Sequence, residues 1–368
     1  MDSSRIIEIL DTVIDPETGV GLVTSKRIQN LTHDGKNINF DLEAGDLDPM
    51  IKGELNLAIV ELLAKEFPDI EVNVNMISSD NRGDQNNAGK TISGKNPLPH
   101  VKNVIAIASG KGGVGKSSVA VNLALSLKEL GYKVGLLDGD MYGPSIPTML
   151  QLQGKRPGLK RVYNVDKLLP IEAYGIFAMS IGFFVDPDQA VILRGPKLDS
   201  VLRQFVKDVV WPELDFMIID LPPGTGDVQL SLVQLLPVTG VIMVTTPQQV
   251  ALDDAVKALN MFMLDNIEVP VLGVVENMSW FVVDELPDKK FYIFGKGGGQ
   301  ILADKGQTDL LAQIPIVESI REAGDDGKPV ILSDEKVREY YIQLARNVES
   351  RTKIRNEVLN PTKIVHRT

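Results

Sequence analysis

Apolar residues recur with different periods along the chain, and the changes of period divide it. Ile6, Ile7, Leu10 and Val13 follow helical spacing. Asp15-Pro16-Glu17-Thr18-Gly19 then supplies turn formers that end the helix. Strand-like runs follow at 25–31 and 37–42, with Asp34-Gly35 between them as a hairpin signal. A second helix is expected over 48–66, closed by Phe67-Pro68-Asp69, and a third strand over 70–76. Residues 1–78 thus read as a small α+β domain. From Ser78 to Ser93 the chain is polar and aperiodic, so residues 79–100 read as a flexible linker.

From Val101 the texture changes. Short apolar runs recur at 104–108, 134–137, 216–219, 241–245 and 271–275, separated by amphipathic segments such as 119–130 and 252–264. A continuous apolar strand is buried on both faces. Alternation with helices therefore predicts an α/β domain over 101–345, with a mostly parallel sheet flanked by helices. Ligands of such sheets bind outside the carboxyl ends of the strands. A last helix is expected over 335–344. Residues 346–368 then read as a basic C-terminal tail, carrying Arg346, Arg351, Lys353, Arg355, Lys363 and Arg367 against Glu349 and Glu357. A solvated tail is the plainer reading, and a weak contact with nucleic acid or membrane is the alternative.

The first of these strands leads into Gly110-Lys111-Gly112-Gly113-Val114-Gly115-Lys116-Ser117, which fits the P-loop pattern G-x-x-x-x-G-K-[ST]. Glycines let backbone N–H groups converge on phosphate, and the following helix, beginning near Ser118, adds its positive end. Lys116 is expected to reach the β- and γ-phosphates, and the Ser117 hydroxyl to bind Mg²⁺. Lys111 has two readings: a solvated charge, or a cation donated to a partner subunit's phosphates. Acidic residues end two other strands. Asp220 has the Walker B position and is the candidate to meet Mg²⁺ through water. Asp140 is the candidate to position or deprotonate the attacking water and to stand at the metal, with Asp138 orienting the site. A helix-capping role for Asp138 and Asp140 is the alternative. Leu221-Pro222-Pro223-Gly224-Thr225-Gly226 follows Asp220 and can bring a backbone N–H near a γ-phosphate, with Gly224 the candidate. Asn277 ends a further strand and offers both a donor and an acceptor to adenine, unless it only forms a turn.

Composition narrows the function. With 368 residues the chain is long enough for two domains. Its 38 Lys and Arg against 49 Asp and Glu give a net charge of −11, which points away from nucleic acid and anionic membrane as partners. Met1-Asp2-Ser3-Ser4-Arg5 lacks the features of a signal peptide, and no apolar run reaches membrane-spanning length, so a cytoplasmic location is expected. There are 0 cysteines, which excludes disulfides, thiolate zinc sites and ordinary iron–sulfur ligation by this chain.

The loop Lys111–Ser117 resembles the deviant Walker A of the MinD, ParA and nitrogenase iron-protein superfamily. More narrowly, the chain resembles the Mrp/ApbC-type iron–sulfur cluster carrier ATPases. The matching pieces are Asp138-Gly139-Asp140-Met141-Tyr142-Gly143-Pro144-Ser145, Arg194-Gly195-Pro196, Asp220-Leu221-Pro222-Pro223-Gly224-Thr225-Gly226-Asp227, Glu276-Asn277-Met278-Ser279, Ile293-Phe294-Gly295, Ile314-Pro315 and Ile320-Arg321-Glu322-Ala323-Gly324-Asp325. The N-terminal segment resembles the MIP18-type (DUF59) domain. The resemblance implies a homodimer with ATP and Mg²⁺ at its interface, Lys111 acting in trans, and Pro315 beside the adenine. It also implies a Cys-x-x-Cys pair shortly after Glu276-Asn277-Met278-Ser279, where Val283 and Leu286 stand instead. The cysteine usual in MIP18-type domains is also missing; Glu43-Ala44-Gly45-Asp46 occupies that region. Asp284 and Glu285 are hard oxygen ligands, poor substitutes for thiolate. His33, His100 and His366 are scattered.

The reading that follows is an ATP-hydrolysing protein of iron–sulfur carrier or assembly type, serving apoprotein clients or Cys-bearing assembly proteins. The missing thiolates argue against its binding a cluster directly. The alternative is a ParA/MinD-like switch in which ATP closes a dimer that then binds another molecule. A small-molecule kinase or synthetase is a third possibility, for which the sequence shows no acceptor site.

Overall fold

The computed structural model describes residues 2–45, 47–68, 70–77, 96–162, 165–185, 195–264, 267–283 and 289–359. Most of the expected linker, residues 79–95, lies outside the described residues. Its last residues do not: Leu98 and His100 are buried, and the His100 carbonyl accepts the Leu214 N–H at 3.2 Å. The chain is therefore already packed before Val101.

The N-terminal unit holds α1 (Ser3–Thr12), β1 (Ile28–His33), β2 (Asn37–Glu43), α2 (Pro49–Glu66) and β3 (Glu71–Ile77). The Asp2 carboxylate caps α1 by accepting the Ser4 N–H. Strand order is β1-β2-β3, with β1 antiparallel and β3 parallel to β2. Alternate residues of β2, Ile38, Phe40 and Leu42, point into a core shared with Ile6, Leu10, Leu55 and Ile59. Arg27 and Asp15 form a buried ion pair at 2.7 Å, each 1% exposed.

The second unit is an eight-stranded sheet in the order β13-β12-β11-β4-β10-β5-β9-β8. Its strands are β4 (Val101–Ala108), β5 (Val134–Asp138), β8 (Ile171–Ala173), β9 (Ile176–Ser180), β10 (Leu214–Asp220), β11 (Gly240–Thr245), β12 (Val271–Glu276) and β13 (Leu310–Gln313). All neighbours are parallel except the edge strand β8, antiparallel to β9. A separate hairpin, β6 (Gly158–Val162) with β7 (Val165–Leu169), lies beside it. Helices α3 (Lys116–Glu129), α4 (Ile146–Met149), α5 (Gly195–Lys207), α6 (Asp227–Leu235), α7 (Gln249–Phe262), α8 (Gly298–Lys305), α9 (Glu318–Asp326) and α10 (Glu335–Val358) cover the sheet and its ends. β5 and β11 are buried along their whole length, as continuous apolar runs require.

The last helix differs from expectation. It does not end near Leu344 but continues to Val358, so much of the expected solvated tail is helical and packed. Val337, Tyr341, Leu344, Ala345, Val348 and Thr352 keep a helical apolar stripe buried, and Arg351 pairs with Asp309 at 2.9 Å. Arg346 and Lys353 face outward, Arg351 is half-buried and Arg355 is buried, and this basic run hides the stripe in the sequence. Residues 360–368, with Lys363 and Arg367, lie outside the described residues.

Candidate nucleotide site

Strand β4 ends at Ala108, and the chain wraps through residues 109–115 before α3 starts at Lys116. Gly113 and Gly115 both have φ of 81°, a left-handed backbone that favours glycine. Gly110 and Gly115 are also fixed by close approach. A Cβ on Gly110 would lie 2.1 Å from the Asp254 backbone, and one on Gly115 would lie 2.2 Å from Asn277 Nδ2. The Ser109 hydroxyl donates to the Lys111 carbonyl at 3.0 Å, and Asn277 Nδ2 donates to the Val114 carbonyl at 2.9 Å. The loop is thus held from both sides.

A cavity of about 190 Å³ opens over the loop and brings Lys111, Lys116, Ser117, Ser118 and Asp140 together with Gly112, Gly113 and Gly115. Ser109, Ser145, Met149 and Pro223 also line it. Ser145 and Pro223 belong to motifs visible in the sequence, whereas Ser109 and Met149 carry no sequence signal of their own. Lys111 is exposed at the mouth. Six expected residues do not line the cavity: Gly110 and Val114 of the loop itself, Asp220 beneath it, and Asn277, Gly224 and Pro315. Asn277 braces the loop from behind. Gly224, at φ 99°, already donates its N–H to the Ser109 carbonyl at 2.9 Å. Pro315 is buried beside Ile314, whose N–H donates to the Glu276 carbonyl at 2.9 Å.

Charge is concentrated beneath the loop. Lys116 Nζ lies 2.6 Å from Asp220 Oδ1, with side chains 6% and 0% exposed, and 3.5 Å from Ser117 Oγ. Burial raises the Asp220 carboxyl and the Lys116 charge opposes that rise. The other Asp220 oxygen, Oδ2, is buried without a hydrogen-bond partner. Next to it in the parallel register stands Asp138. Burial, and then the Asp220 charge, push the Asp138 carboxyl up to about 8. Asp138 Oδ2 accepts the Ser180 hydroxyl at 2.9 Å, and Oδ1 accepts the Asp140 N–H at 3.1 Å. The Asp140 side chain is half-buried and accepts the Gly143 N–H at 3.3 Å.

These groups fit a magnesium nucleotide. Among the described residues no cluster of three or more His, Cys, Asp or Glu is arranged to hold a metal ion by itself. Mg²⁺ in nucleotide sites needs only one or two protein oxygens because phosphates and waters complete its shell. The orphaned Asp220 Oδ2 and the Ser117 hydroxyl match that requirement.

Comparison with known proteins bears on the same residues. Residues 100–349 match the family model described as NUBPL iron-transfer P-loop NTPase, and residues 3–74 match that of an iron–sulfur cluster assembly protein. The chain belongs to the Mrp/ApbC-type iron–sulfur cluster carrier family. An iron–sulfur cluster carrier protein of Synechocystis is 40% identical over 337 residues, covering 90% of this chain and 92% of its own. One from Escherichia coli K12 is 46% identical over 272 residues, 73% of this chain and 72% of its own. Among solved structures, a nucleotide-binding protein from Archaeoglobus fulgidus in complex with ADP has a TM-score of 0.56 and 34% identity, covering 66% of this chain and 94% of its own. The N-terminal unit is the DUF59-like domain and the sheet with its P-loop is the ParA/MinD-type NTPase. The chain is an ATP-binding and ATP-hydrolysing member of the carrier family that lacks the typical cysteine pair.

The segment where the resemblance places those cysteines is flanked by described residues of this carrier-family chain. Phe281 and Phe291 exchange backbone hydrogen bonds of 2.8 Å, and Lys290 Nζ sits 3.7 Å from the centre of the Trp280 ring. Val283 is half-buried; Leu286, Asp284 and Glu285 lie outside the described residues, as does Arg194. In the DUF59-like domain, Glu43 accepts the Gln29 side chain at 3.0 Å, and Asp46 lies outside the described residues. His33 pairs with Ser3 at 2.8 Å, while burial pushes His100 down to about 4; the two belong to no common site.

Proposed function

We propose that the protein is a cytoplasmic, homodimeric ATPase that assists insertion of iron–sulfur clusters whose thiolate ligands come from an apoprotein client or a Cys-bearing assembly protein. The observation that carries this reading is a complete phosphate cradle in a chain with 0 cysteines. In the proposed cycle, ATP draws Lys116 from Asp220 to the β- and γ-phosphates, and backbone N–H groups of residues 110–118 hold the phosphate oxygens. Ser117, Asp220 and Asp140 are the residues that would hold Mg²⁺. Mg²⁺ supplies neutralisation of phosphate charge. Asp140 orients the attacking water and takes its proton; water oxygen bonds to the γ-phosphorus as the bond to ADP breaks. Lys111, exposed at the mouth, reaches the phosphates of the partner subunit in trans. Gly224 exchanges the Ser109 carbonyl for the γ-phosphate, and Asn277 and Pro315, which stand back from the phosphate cavity, border the adenine beyond it.

The alternative of a switch acting on nucleic acid or membrane through a basic tail loses support from α10, where Thr352 and Arg355 are buried and Arg351 is paired. Among the described residues no helix is long and apolar enough to cross a membrane.

The test is anaerobic activation of an apo-enzyme by a Cys-bearing cluster donor, with and without this protein and Mg·ATP. Acceleration by the wild type should be lost in Asp140→Ala, which keeps ATP binding and turns over at least roughly 100-fold more slowly. Equal activation by both forms, or none by either, counts against the proposal.

A further inference from the structure

Ser180 is the last residue of β9 and is 0% exposed. It stands directly opposite Asp138 in the parallel register of β5 and β9. Its Oγ accepts the Gly182 N–H at 3.1 Å, within the tight turn Ile181–Phe183 that follows. A hydroxyl has one proton and two lone pairs. With Gly182 donating to the oxygen, the proton is directed at Asp138 Oδ2, 2.9 Å away. Asp138 Oδ1 meanwhile accepts the Asp140 N–H at 3.1 Å. Both oxygens of this buried carboxyl group thus accept a hydrogen bond, one from β9 and one from the backbone of the residue at the cavity wall.

Without the Ser180 hydroxyl, Asp138 Oδ2 would be buried and unpaired beside Asp220 and Lys116. The carboxylate would turn toward the lysine and release the Asp140 backbone. The turn after Ser180 is also wedged against the segment that bears Ser145 and Met149. A Cβ on Gly182 would lie 2.8 Å from Pro147 and 3.3 Å from Pro144. Asp140 is therefore referenced to β9 through one oriented chain of hydrogen bonds.

We infer that Ser180 is a positioning residue for ATP hydrolysis, holding Asp138 so that Asp138 fixes Asp140. The inference rests on the proposed role of Asp140 and assigns Ser180 no contact with nucleotide. A buried serine that only capped its own turn would affect folding and leave turnover per folded molecule unchanged.

The experiment measures kcat, KM for ATP and nucleotide affinity in wild type, Ser180→Ala, Ser180→Thr and Ser180→Val. Thr and Val have nearly the same shape and differ in the hydroxyl, so their ratio reports the hydrogen bond even if Ala perturbs folding. Ser180→Ala and Ser180→Val should lower kcat by roughly 10-fold or more, as loss of a supporting hydrogen bond does in related sites. ATP affinity should stay within about twofold of wild type, and Ser180→Thr should recover most of the rate. Equal kcat for Thr and Val, or a loss confined to ATP affinity, overturns the inference while leaving the ATPase reading intact. A wild type that binds Mg·ATP without hydrolysing it removes both.

Discussion

Strands β10 and β12 both end in a buried carboxylate at the same edge of the sheet, yet the two ends are built for different work. Asp220, closing β10, has one oxygen paired with Lys116 and the other without a hydrogen-bond partner. Glu276, closing β12, has both oxygens occupied. Oε1 accepts the Gln313 amide at 2.7 Å and Oε2 accepts the Gly299 N–H, at the start of α8, at 2.6 Å. The first carboxylate keeps one oxygen without a hydrogen bond, and the second ties strand to strand and strand to helix. The segments beyond them diverge too. After Asp220 comes the Pro-Pro-Gly turn against the P-loop, whereas after Glu276 come the Phe281–Phe291 backbone bridge and the Lys290–Trp280 contact, in a chain without a thiolate.

Removing the partner of Asp220 should give the largest effect. Lys116→Ala should weaken ATP binding by at least roughly 100-fold through loss of the phosphate contact. It should also destabilise the apo protein by roughly 3–5 kcal/mol, because it strands a buried charge. The double variant Lys116→Ala with Asp220→Asn should regain most of that stability and none of the binding. Titration calorimetry and denaturant melts check both halves, and unchanged ATP affinity would refute the assignment of Lys116.

Glu276→Gln sharpens the contrast from the other side. It puts an amide beside the Gly299 N–H and the Gln313 amide and should cost about 1–3 kcal/mol of stability. Turnover per folded molecule should stay near wild type. A large fall in kcat at full folding would erase the distinction between the two strand ends.

The last contrast is one of pH and concerns Asp138. Its carboxyl is raised from 3.8 to about 8 by burial and by Asp220. The folded protein therefore holds a proton that the unfolded chain releases. This contribution to apo stability is complete below about pH 4 and is lost as pH rises through about 8. Asp138→Asn, which cannot ionise, removes this pH dependence, so its Tm relative to wild type should be higher at about pH 9 than at about pH 5, whatever its amide costs against the Ser180 hydroxyl and the Asp140 N–H. An equal change at both values would mean that Asp138 does not titrate in this range.

Much of this was legible in the sequence, and what was hidden has identifiable causes. The P-loop, Asp138, Asp140 and Asp220 stand out because strand ends and glycine spacing are local features. Ser180 gave no signal, since Ile176–Ser180 is short and acquires its meaning only by lying beside Asp138. Asn277 advertised its amide but not its direction. The contact with Val114 joins the end of β12 to the loop after β4, two distant parts of the chain. The length of α10 was obscured because its basic outer face resembles a solvated tail when the buried Val348 and Thr352 stripe is not followed. The absent cysteines were fully readable, and no packing can replace them.

The most direct measurement is anaerobic reconstitution of the full chain with iron and sulfide, followed by desalting, iron analysis and a visible spectrum, with ATP turnover recorded on the same sample. The expected result is ATP hydrolysis without retained iron or a sulfur-to-iron charge-transfer band, because this chain supplies no thiolate. Stoichiometric iron with that band after desalting would contradict the account and place the cluster on this protein itself.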